Sequence, residues 1–271
     1  MYQLAKLKFM GNNLKVPKDW QQPSGDPAGK QYGQAFKDSE KMAVPKVPAL
    51  FQPASTNKYH VDTAKKLDEQ FDQFFNGICT AICSAWSTWQ SATSMVGIII
   101  NAVSATGGQL VGPPWTPLIL AQGPKSTPMM LKYTTTIANC LGTAWLSYTA
   151  TIKVPGLPWY PAFAAFPGPV APPMPNTPIS LAALTQVTAS IMPNVLANQM
   201  FGMHGDPMAP YAKELYDAVA DAFGKCFNIW QPSTMVTNVL GTGPIPTFAP
   251  PYVPVGPVVG GVGTMAPGGL V

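Results

Sequence analysis

Four cysteines are the residues of this 271-residue chain best suited to bind a metal or to carry redox chemistry. Cys79 and Cys83 are four positions apart, so on a helix they share one face, whereas Cys140 and Cys226 lie far along the chain. A zinc site usually offers two such ligand pairs from loops. Here the neighbours are Ile, Ala and Trp in helical sequence, which favours cysteine as a small buried apolar residue. The sequence therefore predicts no metal site and no disulfide framework.

The two histidines and the acidic residues form no recognisable catalytic set. His60 precedes a predicted helix, and His204 lies in a predicted loop, with no Gly-x-Ser-x-Gly nucleophile motif in the chain. Glu214, Asp217 and Asp221 recur at helical spacing; paired acids can act in hydrolysis, but a solvated helix face is the simpler interpretation. No phosphate-binding loop of the Gly-x4-Gly-Lys-Ser/Thr kind occurs. We therefore expect a protein that is not an enzyme and needs no cofactor.

Charge is scarce and unevenly distributed along the chain. Charged residues make up 10% of it, against about 25% in typical soluble domains. Every basic residue is Lys, and from Gln73 to Gly205 the only charges are Lys125, Lys132 and Lys153. A surface that faces water usually carries far more charge. We therefore expect much of this surface to face other protein subunits, or lipid.

Residues 1–60 are rich in Lys and are interrupted by Pro17, Pro23, Pro27 and three further prolines. Proline at this density breaks helices and removes the donors that a sheet needs, which predicts an extended or polyproline-like arm. Acidic residues alternate with the lysines and Arg is absent, so we expect no sequence-specific nucleic-acid binding. The N-terminus has no apolar run of the signal-peptide kind, which predicts synthesis in the cytoplasm without a signal peptide.

Four helices are predicted after the arm, each with apolar residues at three- and four-residue spacing. They cover about 61–103, 128–153, 179–200 and 210–230. Pro128 suits a first helical turn, and Pro193 is expected to kink or split the third helix. The Gly/Pro-rich stretches between helices are expected to be extended tails. The predicted fold class is mainly α, with an elongated core of about four helices, extended Pro/Gly-rich arms and little regular sheet.

An internal repeat suggests how the chain is divided. Five residues match five others at one offset: Val154, Gly156, Pro161, Phe163 and Ala164 against Val239, Gly241, Pro246, Phe248 and Ala249. Aromatic residues near a helix end precede each tail, at 86–89, 145–148 and 227–230. We therefore predict a duplicated unit of helix plus tail. The proposed divisions are an arm (1–60) and three units, 61–125, 126–178 and 179–271.

The function favoured by these features is that of a structural subunit in a large assembly. Proline reduces the entropy that an extended segment loses when it docks on a neighbour, and aromatic side chains supply anchors. The predicted interaction residues are Trp86, Trp89, Trp115, Trp145, Trp159, Phe163, Phe166, Trp230, Phe248 and Tyr252. The composition resembles that of phage-tail, baseplate and contractile-injection components, although no motif is shared. The expected partners are other protein subunits in several copies, and the expected location is a virion or injection particle.

The alternative is a membrane-associated or pore-forming protein that inserts the uncharged segment 73–103. This segment is long enough to cross a bilayer. However, Gln73, Asn76, Gln90, Asn101 and many Ser and Thr residues interrupt it, which favours burial against protein. The tryptophans are typical either of an interfacial belt or of core anchors.

Overall fold

The computed structural model describes residues 1–12, 55–247 and 255–271, and for residues 55–62 and 64 only the backbone is described. Six α-helices lie in these residues: α1 (Tyr2–Met10), α2 (Ser55–Ala92), α3 (Trp115–Gln122), α4 (Pro128–Thr151), α5 (Pro193–His204) and α6 (Ala212–Ser233). Ten strands accompany them: β1 (Ser94–Asn101), β2 (Ser104–Val111), β3 (Val154–Leu157), β4 (Phe166–Pro167), β5 (Val170–Pro175), β6 (Ile179–Ser180), β7 (Met235–Val236), β8 (Val239–Pro244), β9 (Val255–Gly256) and β10 (Gly261–Met265).

Six of these strands form one antiparallel sheet in the order β3-β2-β1-β10-β8-β5. The structure is about 54% helical and 23% strand, so the predicted mainly α fold with little regular sheet is wrong. The sheet takes strands from each of the three predicted units, and β4–β9 and β6–β7 form two small additional pairs. The proposed duplication stays a prediction: Gly156 lies in the edge strand β3, and its match Gly241 lies in the interior strand β8.

The first predicted helix is wrong beyond residue 92, where the chain leaves α2 and enters β1. The Thr93 hydroxyl donates to the carbonyl oxygen of Trp89 at 2.5 Å and closes the helix end. The β-branched run Ile98 to Ile100 follows, and such residues prefer strands. Ile98 and Ile100 are buried and Ile99 is exposed, which is the two-residue period of a strand.

The Gly/Pro-rich tails are also largely strands. Gly241 and Gly263 face Tyr160, and a Cβ on Gly241 would lie 2.6 Å from the Tyr160 ring. The Tyr160 hydroxyl donates to the Val239 carbonyl oxygen at 2.9 Å, which fixes the ring against the sheet. Glycine usually weakens a strand. In this sheet it leaves room for the aromatic ring that covers the strands, so a composition typical of a tail forms a regular sheet.

The remaining helices follow the predictions in part. Helix α4 agrees with the helix predicted over 128–153, with Pro128 in its first turn and the Met130 amide donating to the Thr127 hydroxyl at 3.1 Å. Helix α5 begins only at Pro193, because proline fits the first turn and holds the residue before it extended. Helix α3 starts in a Pro-rich stretch where no helix was expected, and α1 occupies the start of the predicted extended arm.

Helices and sheet together enclose one core. Helix α1 packs on α2 and α6, α3 lies between α2 and α4, and α4 also contacts β2 and α5. The inner face of the sheet is covered by the connection after β3, where the stacked rings of Tyr160 and Phe163 lie 5.0 Å apart. None of the described residues covers the outer face, whose side chains are exposed.

Candidate interaction surface

The outer face of the six-stranded sheet carries aliphatic side chains beside exposed polar ones such as Gln109 and Thr264, and no charged strand residue. Val96, Ile99, Leu240 and Val262 project from it and are 43%, 53%, 45% and 57% exposed. None of the six strands contains an acidic or basic residue. Monomeric proteins rarely leave an extended apolar surface open to water, and such a patch usually marks an interaction site. We refer to this surface, formed by the outward residues of β2, β1, β10 and β8, as the outer sheet face.

A row of four residues runs across the centre of the outer sheet face. Register pairs Thr106 with Ile99, Ile99 with Val262, and Val262 with Thr242. The Thr106 hydroxyl donates to the Ile99 carbonyl oxygen at 3.4 Å, and the Thr242 hydroxyl donates to the Ala171 carbonyl oxygen at 2.6 Å. Both hydroxyl hydrogens are therefore used within the sheet. The row presents methyl groups, which an apolar partner can cover without leaving a buried donor unpaired.

The edges of the sheet are poor sites for adding another strand. The edge strand β5 contains Pro172, Pro173 and Pro175, and the opposite edge strand β3 contains Pro155. Proline has no amide hydrogen to donate, so it blocks pairing with a further strand. A partner is therefore expected to pack on the face of the sheet and not to extend its edge.

Five of the predicted interaction residues meet inside the helical part of the fold. Trp86 and Trp89 come from α2, Trp115 is the first residue of α3, Trp145 lies on α4 and Trp230 on α6. The first four are between 1% and 7% exposed. We call these five residues the tryptophan cluster. They contact each other in the core, as the core-anchor interpretation of the sequence requires, and do not project towards a neighbour.

The geometry of the tryptophan cluster is close-packed. Trp115 and Trp145 stack with ring centroids 4.1 Å apart, and Trp89 meets the edge of Trp145 at 4.9 Å. Aromatic pairs of this kind add about 0.5–1.5 kcal/mol each beyond the area they bury. The Trp230 indole donates to the Gln90 side-chain oxygen at 2.8 Å. The indole nitrogens of Trp86, Trp115 and Trp145 are buried without an acceptor.

The other predicted interaction residues lie apart from the cluster. Trp159 and Phe163 are buried beneath the sheet, and Phe166 is partly buried against the same core. Phe248 and Tyr252 lie outside the described residues.

Among the candidate chemical residues, Cys79 lies near Cys83 and Cys226, whose charges add to the effect of burial on the pKa of its thiol. Cys79 and Cys140 are buried, and burial raises the pKa of the Cys79 thiol to about 12 and that of Cys140 to about 11. A thiol held protonated in this way is a weak nucleophile. Cys83 is exposed, and all four cysteines are free thiols.

His204 lies in the core at the end of α5. Its Nδ1 is 2.7 Å from the Tyr216 hydroxyl oxygen, its ring stacks on Tyr133 at 4.8 Å, and its Nε2 has no partner. Burial lowers the pKa of this imidazole, helped by Lys132 and opposed by Asp206. These surroundings hold the ring neutral and supply no nucleophile to it.

The acidic residues of α6, Glu214, Asp217 and Asp221, are half-buried, so the face that their spacing predicts to be solvated is only partly open to water. Asp221 accepts from Lys225 one turn later at 2.8 Å. Within the part of the chain that the structure describes, no group of three His, Cys, Asp or Glu side chains is arranged to hold a metal ion. In the same part, no helix combines the length and the apolar character that a bilayer crossing demands.

The outer sheet face was missed because its residues were assigned to a helix and to tails. Ile99 belongs to the predicted first helix, Leu240 ends the short segment before the last predicted tail, and Val262 belongs to the Pro/Gly-rich C-terminal tail. The available signal was the uncharged pair of eight-residue segments 94–101 and 104–111, separated by only Ala102 and Val103. Two such segments with a two-residue connection are typical of a hairpin.

Comparison with protein-family models, with curated proteins and with solved structures finds no match to this chain.

Proposed function

We propose that this chain is a non-enzymatic structural subunit of a multi-copy assembly, and that the outer sheet face is its docking surface. The observation that carries the proposal is the exposure of Ile99 and Val262 at the centre of a six-stranded sheet without a charged residue. Charge depletion at the centre of a surface patch is typical of protein–protein interfaces.

A second copy is the partner that this surface fits best. Two sheets that pack face to face lie about 10 Å apart and interdigitate their side chains. A two-fold axis lets the same patch serve both subunits. The row from Thr106 to Thr242 has threonines at its ends and aliphatic residues between them. A two-fold axis that lies in the interface, parallel to the sheet, therefore places the row of one copy opposite the row of the other.

The composition supports a phage-tail, baseplate or contractile-injection particle as the setting of this assembly. Low charge and frequent proline suit segments that are covered by neighbours in a particle. This setting rests on the composition of the chain, whereas the docking surface rests on the described sheet.

The test is the oligomeric state of the full chain and of two matched variants. Ile99→Lys places a charge at the centre of the outer sheet face, and Ile229→Lys places the same charge on α6, where Ile229 is 70% exposed. We expect the wild type to form concentration-dependent oligomers in sedimentation velocity, Ile99→Lys to shift to the monomer, and Ile229→Lys to behave as the wild type. Thermal unfolding of each variant checks that the fold is kept.

A wild-type chain that stays monomeric at all concentrations would overturn the docking surface. Equal association of Ile99→Lys and the wild type would overturn it too. If Ile99→Lys and Ile229→Lys both lost association, the added charge itself would be the cause, and the outer sheet face would not be implicated.

A further inference from the structure

Helix α1 is held by side-chain contacts in a groove between α2 and α6, and it packs on both of these helices. Ala5 and Phe9, four positions apart on one face of α1, are 0% and 1% exposed, whereas Leu7 on the opposite face is 70% exposed. A helix of nine residues is marginal in water by itself, so α1 depends on this groove for its stability. We call the surface of α2 and α6 that α1 covers the α1 groove.

Phe9 fills the apolar part of the α1 groove. Its ring centroid lies 4.9 Å from those of Phe71 and Phe75 on α2. Phe71 also meets the edge of Tyr211, the residue before α6, at 6.2 Å. Without α1 these rings would face water, so the groove requires a helix to cover it. A helix that lays its apolar face into a hydrophobic groove is a common mode of recognition between separate chains.

Opposite charges align α1 in its groove. The Lys6 ammonium lies 2.7 Å from the Asp72 carboxylate, and the Tyr2 hydroxyl donates to the same carboxylate at 2.6 Å. Asp68 and Glu69, one turn earlier on α2, line the small cavity beside Lys6. Complementary charges of this kind guide the approach of a partner and fix its register. The α1 groove therefore selects a short helix that presents both an aromatic side chain and a lysine.

The connection from α1 to α2 is much longer than docking within one chain requires. Met10 at the end of α1 and Asp68 on α2 line the same cavity, so the end of α1 lies beside this turn of α2. Ser55 is about 13 positions before Asp68, a rise of about 20 Å at 1.5 Å per residue. Residues 13–54, about 42 positions outside the described residues, can span at most about 150 Å. The contacts therefore fix which helix fills the groove, but they do not require both to belong to one chain.

We propose that α1 of one copy fills the α1 groove of a neighbouring copy, so that copies in the assembly are linked by exchange of this helix. The exchanged and the unexchanged arrangements contain the same contacts, so the effective concentrations of the two grooves decide between them. The chain's own groove is favoured only weakly, because effective concentration falls as about the −3/2 power of the length of the connection.

The second groove comes within reach when two copies meet through the outer sheet face. A folded chain of this length has a radius of gyration of about 19 Å, which is small beside the span that residues 13–54 allow. Exchange therefore rests on the proposed assembly of copies. In a dispersed monomer no second groove is nearby, and α1 returns to the groove of its own chain.

The experiment asks whether a thiol on α1 and a thiol in the α1 groove can be joined when they belong to different chains. It uses full-length chains that carry Cys83→Ser, because Cys83 is exposed. Lys6→Cys and Asp72→Cys replace contacting side chains that are 41% and 39% exposed, so the buried residues of α1 are kept. The two variants are mixed while dilute, concentrated so that they assemble, and treated with a short bismaleimide. We expect a product of two linked chains on a denaturing gel, and each variant alone gives the background.

The matched control is Leu7→Cys, next to Lys6 but on the face of α1 that points away from the groove. Mixed with Asp72→Cys, it is expected to give at least tenfold less of the two-chain product. A chain that carries both Lys6→Cys and Asp72→Cys should give linked chains, whereas docking within one chain would give an internally linked monomer.

The inference is overturned if Lys6→Cys and Asp72→Cys give no more two-chain product than the Leu7→Cys control, or if the chain with both substitutions yields only the internally linked monomer. Either result, together with dispersal of the oligomers by Ile99→Lys, removes the helix exchange and leaves the outer sheet face intact. A two-chain product together with association of Ile99→Lys at the wild-type level keeps the exchange and overturns only the outer sheet face.

Discussion

On the inner face of the six-stranded sheet, Ile98 and Ile100 are 1% and 0% exposed, whereas Ile99 between them on the outer face is 53% exposed. All three are the same residue type in the same strand. The inner pair lies beneath the Tyr160 and Phe163 connection, and the outer residue lies in a row with Val262 and two threonines. The two faces therefore differ in what covers them, and the outer face also carries polar residues such as Thr106 and Thr242.

The comparison shows that the outer sheet face is where apolar side chains of the sheet remain exposed to water. Burying an isoleucine side chain contributes about 1.5–3 kcal/mol. On the inner face this burial already stabilises the monomer. On the outer face the same stabilisation would arise only when a partner covers Ile99 and Val262. Three substitution experiments test this difference between the two faces.

The largest effect is expected from the adjacent pair Ile98 and Ile99. Ile98→Ala leaves a cavity under the sheet and should lower the free energy of unfolding by about 2–5 kcal/mol. Ile99→Ala removes exposed atoms and should change it by less than about 0.5 kcal/mol in the monomer. Urea unfolding at low protein concentration measures both. Equal losses would mean that the outer face is already covered within the monomer.

A smaller effect is expected from substituting two adjacent residues of β8 that point to opposite faces of the sheet. Gly241→Ala puts a Cβ about 2.6 Å from the Tyr160 ring and 2.7 Å from Ile100, and such overpacking costs about 1–3 kcal/mol. Its neighbour Leu240 points outward and is 45% exposed. Leu240→Ala should therefore leave the thermal unfolding midpoint of the monomer nearly unchanged. A tolerated Gly241→Ala would show that the Tyr160 ring is not packed tightly on β8.

The smallest effect concerns the dependence of stability on pH. The six strands contain no acidic or basic residue, so titrating groups outside the sheet must supply it. Burial lowers the folded-state pKa of His204 below its ordinary value of 6.5. The unfolded chain then binds the proton more readily, so stability is fully present above pH 6.5 and falls as the pH drops from there through the folded pKa.

Unfolding curves between pH 7 and pH 5 measure this loss. His204→Asn removes the titrating ring, so its stability should fall less over the same interval than that of the wild type. An identical decline in both proteins would assign the acid sensitivity to other groups.

Sequence patterns within one segment predict the parts of the fold that depend on residues close together along the chain. Helix α4 follows from its periodic apolar residues, Pro128 in the first turn and Thr127 as cap. The charge-free sheet was not predicted, because strand pairing joins residues far apart: β1 pairs with β2 next to it and with β10 about 160 positions away. A single-segment pattern contains no information about that second partner.

The candidate surface shows the same limit. Scarcity of charge is visible from the composition, and the surface that it predicts to face other subunits or lipid stays a prediction. Which residues form that surface was not visible, because tryptophan and phenylalanine were expected outside and several of them are buried. Large aromatic residues suit both an interface and a core, so residue type alone did not separate the two positions.

The low charge, the periodic helices and the supply of apolar and aromatic residues can be read from the amino-acid sequence. The folded arrangement is needed to see that Cys79 is buried and Cys83 exposed, that five tryptophans converge, and that Ile99 faces outward while Ile98 faces inward. The physical reason is that burial depends on contacts between distant segments. Glycines such as Gly241, which look like tail residues along the chain, become strand residues once Tyr160 packs on them.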